Sequence, residues 1–249
     1  HGTAVAGIMC GSGISSEGTY KGIVEKGSIC CYKAFNSTGK GFISDILFAI
    51  ESLIMDTSLN IRVLCLPFET FDNNPFILNC FESIFELAEF KNIIPIVASG
   101  SNLNLENSIK GIALCKNCLT VGGLNTTKYE IEPYNFSSSG NKNLKKPELS
   151  AACSEIRCLN SNASYVPENN GIKLYPRKLN DNYITFSGTS LACAYISGLC
   201  AILLDNTPNL TLKDLRSLIT LSCNEIEYYS NDTVGEGYLD LKRFFKSIL

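Results

Sequence analysis

Short apolar runs bounded by turn residues alternate along this chain with stretches whose apolar residues recur at helical spacing. That alternation is the strongest constraint on what it can fold into. Ser28–Phe35, Ile61–Leu66, Ile93–Ala98 and Leu119–Gly122 read as strands. Between them Ile46, Leu47, Ile50, Leu53 and Ile54 repeat on one helical face, with Ser44 as N-cap. Pro75 opens a second helix at its first turn, and Phe81, Ile84, Phe85 and Ala88 share its apolar face. Residues 2–10 read as a buried helix rich in small residues, followed by a glycine-punctuated loop from Gly11 to Gly27 and, later, a turn over Asn36–Gly41. Strands separated by helices pair in parallel. The expected class is therefore α/β, a three-layer arrangement of a mostly parallel sheet with helices on both faces.

After Pro147 the pattern weakens. Residues 153–183 are polar and read as a loop insertion or a pair of edge strands. Order returns with the apolar run Leu191–Leu204, a capping-box pattern over Thr211–Asp214 and a closing helix over Leu239–Ile248. No internal repeat or linker divides the chain, so one domain over 1–249 is expected.

Composition removes several classes of function. A net charge of −3 supplies no pull toward nucleic acid or an anionic membrane. The longest apolar runs fall short of the roughly 20 residues that cross a bilayer, so no membrane span is expected. Gly11-Ser12-Gly13 is no nucleotide loop, since no strand leads into it and no Gly-Lys-Ser follows. Lys142, Lys145 and Lys146 read as a solvated basic run. Of the twelve cysteines, Cys10, Cys30, Cys31, Cys65, Cys193 and Cys200 sit in apolar stretches as small core residues. Cys115 and Cys118 form a lone CxxC with no second pair and no histidine to complete a zinc set. Cys153 and Cys158 are placed to bridge a loop in an oxidising compartment. The overall usage points instead to reduced thiols, in a cytoplasmic setting, or to an anaerobic source.

The chemistry narrows to two short segments. The chain has one histidine, at residue 1, heading His1-Gly2-Thr3-Ala4-Val5-Ala6-Gly7; far downstream lies Gly188-Thr189-Ser190-Leu191-Ala192. A serine hydroxyl becomes nucleophilic when an imidazole takes its proton, and no other imidazole here is available to Ser190. These segments resemble the histidine and serine motifs of the subtilisin-like serine proteases, peptidase S8. Further landmarks follow in the family's order: Tyr32-Lys33-Ala34-Phe35, Phe136-Ser137-Ser138, Lys146-Pro147-Glu148-Leu149, Gly198 through Leu210, and Gly237-Tyr238-Leu239-Asp240. The likeness covers nearly the whole chain outside 153–183.

The resemblance implies a serine endopeptidase in which Ser190 attacks the scissile carbonyl and His1 takes and returns the proton. The Ser190 N–H, with Ser101 or Asn102, would hold the oxyanion. Cys65, Leu66 and Pro67 would pair with an extended substrate, and Gly100, Gly188 and Thr189 would line the cleft. A peptide or protein substrate, a monomer, no organic cofactor, and calcium as a structural ion are implied. So is secretion or a cell-surface location, against the lean of the cysteines.

Three departures bear on activity. The family's aspartate lies upstream of its histidine, so residues 1–249 read as lacking the N-terminal part that carries it. An imidazole without that partner loses on the order of 10⁴ in turnover, a magnitude taken from measured serine-protease variants. Ser101 stands in the place of the family's oxyanion asparagine, and Asn102 is one residue late. Losing that donor costs roughly 10²–10³ in rate, a figure measured on subtilisin. Pro67 and Phe68 replace a glycine pair at the end of the substrate strand, and proline has no N–H to offer; Ala194 replaces a proline after the serine motif. The alternative reading is a catalytically weak or inactive relative that binds peptide or a partner protease and regulates it.

Overall fold

The computed structural model describes residues 1–71, 73–162, 165, 168–175 and 178–246. At its centre is a parallel ladder in the order β1 (Val63–Leu66), β2 (Ile94–Ala98), β3 (Leu119–Asn125) and β5 (Leu149–Ala152), with the two-residue β4 (Glu132–Pro133) antiparallel at the end of β3. The pairings Cys65–Ile96, Val97–Thr120 and Gly123–Ala151 fix its register. Side chains alternate between faces along each strand. Thus Ile94, Ile96 and Ala98 join one core while Val97 joins the other.

Helices cover both faces, as the alternation predicts. α2 (Ile43–Met55) and α3 (Pro75–Phe90) bury Ile46, Ile50, Phe81 and Phe85 against Leu64, Leu66 and Val97. On the opposite face α4 (Thr189–Asn206), α5 (Leu212–Ser222) and α7 (Leu241–Lys246) bury Ile196, Leu203, Leu215 and Phe244 against β2, β3 and β5. By length and composition α4 passes for a membrane span, at 18 residues and mean hydropathy 1.3, but it is a core helix with most of its surface covered. α5 carries the expected capping box, in which Thr211 and Asp214 exchange backbone-to-side-chain bonds. Thr211→Ala should cost about 1 kcal/mol, read as a small shift of the denaturant midpoint with an unchanged slope.

Between β5 and α4 the chain forms an antiparallel pair, β6 (Ile156–Leu159) with β9 (Tyr183–Phe186), and an exposed two-rung ladder of β7 (Glu168–Asn169) with β8 (Ile172–Lys173). Near the end, β10 (Cys223–Asn224) pairs with β11 (Tyr238–Leu239) around the short α6 (Asn231–Val234).

Several local expectations fail for identifiable reasons. Ser28–Phe35 is not a strand: residues 28–33 are exposed, and no ladder partner lies beside them among the described residues. A strand exists only where another backbone satisfies its N–H and C=O groups, so apolar content was not sufficient. Ser44 is inside the first turn of α2, whose N-cap is Phe42. Lys146 is no solvated residue but 5% exposed, with Nζ donating to Cys118 O and Thr120 Oγ1, both at 2.9 Å, and paired with Glu148 at 3.1 Å. The closing helix begins at Leu241, and its expected end at Ile248 lies outside the described residues.

The cysteines divide by depth. Cys193 and Cys200 are core residues as expected, Cys10 and Cys65 are half-buried, and Cys30 and Cys31 are exposed. Cys153 and Cys158 are separate buried thiols, not a bridge. Burial pushes the Cys153 and Cys200 thiols up to about 12 and Cys158 up to about 11, so the reactive thiolate is scarce at neutral pH. Brief alkylation of the folded chain should therefore modify Cys30 and Cys31 first, by mass mapping. Cys153, Cys193 and Cys200 should react only after denaturation.

Candidate active site

The site begins with two helix starts. His1 is the N-cap residue of α1 (Gly2–Cys10), its carbonyl accepting from Val5 N at 3.1 Å. α1 lies close against α4 and β6 because its inner face is made of small residues. A Cβ on Gly7 would meet Leu159 Cγ at 2.8 Å, and Ala4 is buried with Cys158 and Leu191. Ala4 follows His1 by less than a turn, and Leu191 follows Ser190 directly. Their shared cluster therefore pins the first turn of α1 beside the first turn of α4. Among the described residues the His1 ring, which is exposed, makes no hydrogen bond, and no carboxylate oxygen lies within 4 Å of its nitrogens.

α4 starts at Thr189 after Gly188, whose φ of 154° and ψ of 150° suit glycine. The Gly188 N–H is tied to Cys153 O at 2.9 Å. Ser190, second in the helix, belongs to the turn whose N–H groups have no intrahelical acceptor, where the helix dipole favours negative charge. Its hydroxyl donates to Pro67 O at 2.9 Å, and Thr189 Oγ1 donates to Gly100 O at 3.2 Å. Three segments distant in sequence, at 67, 100 and 188–190, thus meet at one point.

The loop after β2 is held from behind by the Phe136-Ser137-Ser138 landmark. Ser137 Oγ lies 3.3 Å from buried Ser99 Oγ and accepts from Gly123 N at 3.0 Å; Ser138 Oγ accepts from Asn102 N at 2.9 Å, and Ser138 N donates to Gly100 O at 3.2 Å. Gly100, at φ +105°, presents the next residue forward. That residue, Ser101, is exposed, and both its N–H and its hydroxyl point at Glu69, 2.7 Å and 2.5 Å from the two carboxylate oxygens. The Asn102 side-chain amide makes no hydrogen bond among the described residues, and its Nδ2 lies 3.6 Å from where a Gly100 Cβ would be.

Glu69 was invisible in the sequence, being 32 residues from Ser101 and in no motif. The roles of Ser137 and Ser138 as struts were equally hidden, although their segment was noticed as a landmark. Cys65 and Leu66 occupy β1 as expected, but their side chains face the two cores, Leu66 being 6% exposed. Among the described residues the backbone edge of β1 turned away from β2 has no ladder partner, which leaves it for another chain to pair with. Cys65 lies against Cys193 one turn below Ser190, and the hydrogen bond from that neighbour holds its thiol below the usual range while burial lifts Cys193 above it. Among the described residues no group of three His, Cys, Asp or Glu side chains is arranged to hold a metal. No chemical step below uses a metal.

Comparison with known proteins supports the family and the fold. Residues 1–238 match the subtilase family model, Peptidase_S8. Subtilisin-like protease 3 of Plasmodium falciparum is 28% identical over 98% of this chain, which spans 31% of that protein. Serine protease AprX of Bacillus subtilis is 28% identical over 88% of the chain, which spans 51% of it. Among solved structures, the S41 psychrophilic protease superposes with a TM-score of 0.75 at 24% identity, covering 96% of this chain and 76% of that one. Sphericase gives 0.72 at 22% identity, over 89% and 69% respectively. With a parallel sheet between two helical layers and a serine at the start of its central helix, the chain belongs to the subtilase family.

Proposed function

We propose that this chain carries the histidine and serine half of a serine endopeptidase site, cleaving peptide bonds through an acyl-enzyme on Ser190. His1 takes the hydroxyl proton and returns it to the leaving amine, and the Ser190 N–H with Ser101 or Asn102 holds the oxyanion. The observation that carries this reading is the convergence at the α4 N-terminus. Ser190 reaches Pro67, Thr189 reaches Gly100, and α1 is pinned alongside with the chain's one histidine at its head. On this reading a carboxylate orients the imidazole, and none of the described carboxylate oxygens lies within 4 Å of the ring nitrogens. An extended peptide substrate lies along the free backbone edge of β1, by strand addition. The chemical step needs no cofactor.

An activated ester of a short peptide tests this. The expected course is a burst of one equivalent of leaving group followed by slower turnover, since the acyl group accumulates on the serine. Steady hydrolysis without a burst would contradict the covalent route. A folded protein that binds peptide but never cleaves it would point to a regulator instead.

A further inference from the structure

We propose that Glu69 is an internal anion that occupies the oxyanion donor of the resting site, so that this chain is latched by its own carboxylate. The inference rests on the site as assigned under the proposed function, and deepens it. Ser101 presents two donors, a backbone N–H and a hydroxyl, and Glu69 takes both with separate oxygens at 2.7 Å and 2.5 Å. Gly100 permits the approach, because a Cβ there would lie 2.7 Å from Glu69 Oε2. Glu69 has no ion-pair partner among the described residues, so its charge is met by Ser101 rather than by a cation. Two donors converging on an anion beside a nucleophile are an anion site, and the anion in it belongs to the protein.

The second half of the latch is on the same strap. Pro67 accepts the Ser190 hydroxyl at 2.9 Å, which directs that proton away from any base. The strap is fixed at both ends. Leu66 belongs to β1, Phe68 packs against Phe35 with ring centroids 5.4 Å apart and the rings tilted by 56°, and buried Thr70 accepts from Ile112 N at 2.9 Å. The Glu69 side chain is therefore the movable part, a flexible arm on a rigid strap between the two walls of the cleft. A substrate whose carbonyl is to enter the site must displace it. A product carboxylate or a developing oxyanion competes with it for the same donors.

The test is calorimetric titration of a product-like peptide ending in a free carboxylate, with the amide-ended peptide as control. It is run on the wild-type protein, Glu69→Gln and Glu69→Ala. Removing a charge-assisted competitor should tighten binding of the carboxylate peptide by roughly ten- to a hundred-fold in Glu69→Ala. The amide-ended peptide should gain less, and Glu69→Gln, which keeps the shape without the charge, should fall between. Equal affinity for the carboxylate peptide in all three proteins, each shown folded by its melting curve, would overturn the latch. So would weaker binding in Glu69→Ala, which would make Glu69 a substrate contact. Because the readout is binding, it stands apart from whether Ser190 cleaves. Absent hydrolysis with the affinity shift intact sinks the peptidase and keeps the latch, whereas hydrolysis without the shift does the reverse.

Discussion

Ser190→Ala should lower turnover by roughly 10⁶, a magnitude measured on subtilisin itself, while leaving the melting temperature and peptide affinity nearly unchanged. The expectation follows from what the hydroxyl does and does not hold. Among the described residues it makes one hydrogen bond, to Pro67 O, at a half-buried position in the first turn of α4. Alanine is well tolerated in a helix. The fold around it is carried by Thr189, bonded to Gly100, and by Leu191, packed on Ala4 and Cys158. Loss of rate without loss of fold therefore marks a chemical role. His1→Ala should cost a comparable factor, and the double variant little more than either, because nucleophile and base act as one unit. Additive losses would contradict a shared proton-transfer step.

The largest stability effect is expected far from the cleft, at Lys146. This ammonium is nearly sealed from water and bonded to Cys118 O, Thr120 Oγ1 and Glu148; Glu148 in turn accepts from Thr120 N and from Arg216 on α5. The cluster ties the residues leading into β5 to β3 and to the helix covering them. Removing one buried partner strands the others, at a cost of about 3–5 kcal/mol. For a chain of this length that lowers Tm by roughly 6–20 °C. Lys146→Ala should show such a drop by calorimetry. Lys146→Met combined with Glu148→Gln, which removes both charges, should recover part of it. A shift in the single variant below about 2 °C would mean that water reaches the cluster.

Much of the scaffold was legible because period and punctuation agree with tertiary demand. The α3 face of Phe81, Phe85 and Ala88, the runs that become β1, β2 and β3, and the Thr211 cap all form where local signals put them. Two of the misreadings share one cause, dependence on a distant partner. Ser28–Phe35 has strand composition and, among the described residues, no ladder partner beside it. Lys146 sits in a run of lysines, yet a carbonyl and a hydroxyl from β3 and its approach bury it. The site divides the same way. Ser190, Thr189 and Gly100 carried motif signatures and do meet. Glu69 lies in no motif, and only the meeting of the strap after β1 with the loop after β2 reveals it.

The central claim is that Ser190 is a nucleophile activated by the imidazole of His1. Intact-mass measurement after exposure to a fluorophosphonate probe tests it most directly. The account predicts one adduct per molecule, mapped to Ser190 and absent from His1→Ala. A folded protein that stays unmodified, or an adduct mapped to another serine such as Ser101, would contradict it.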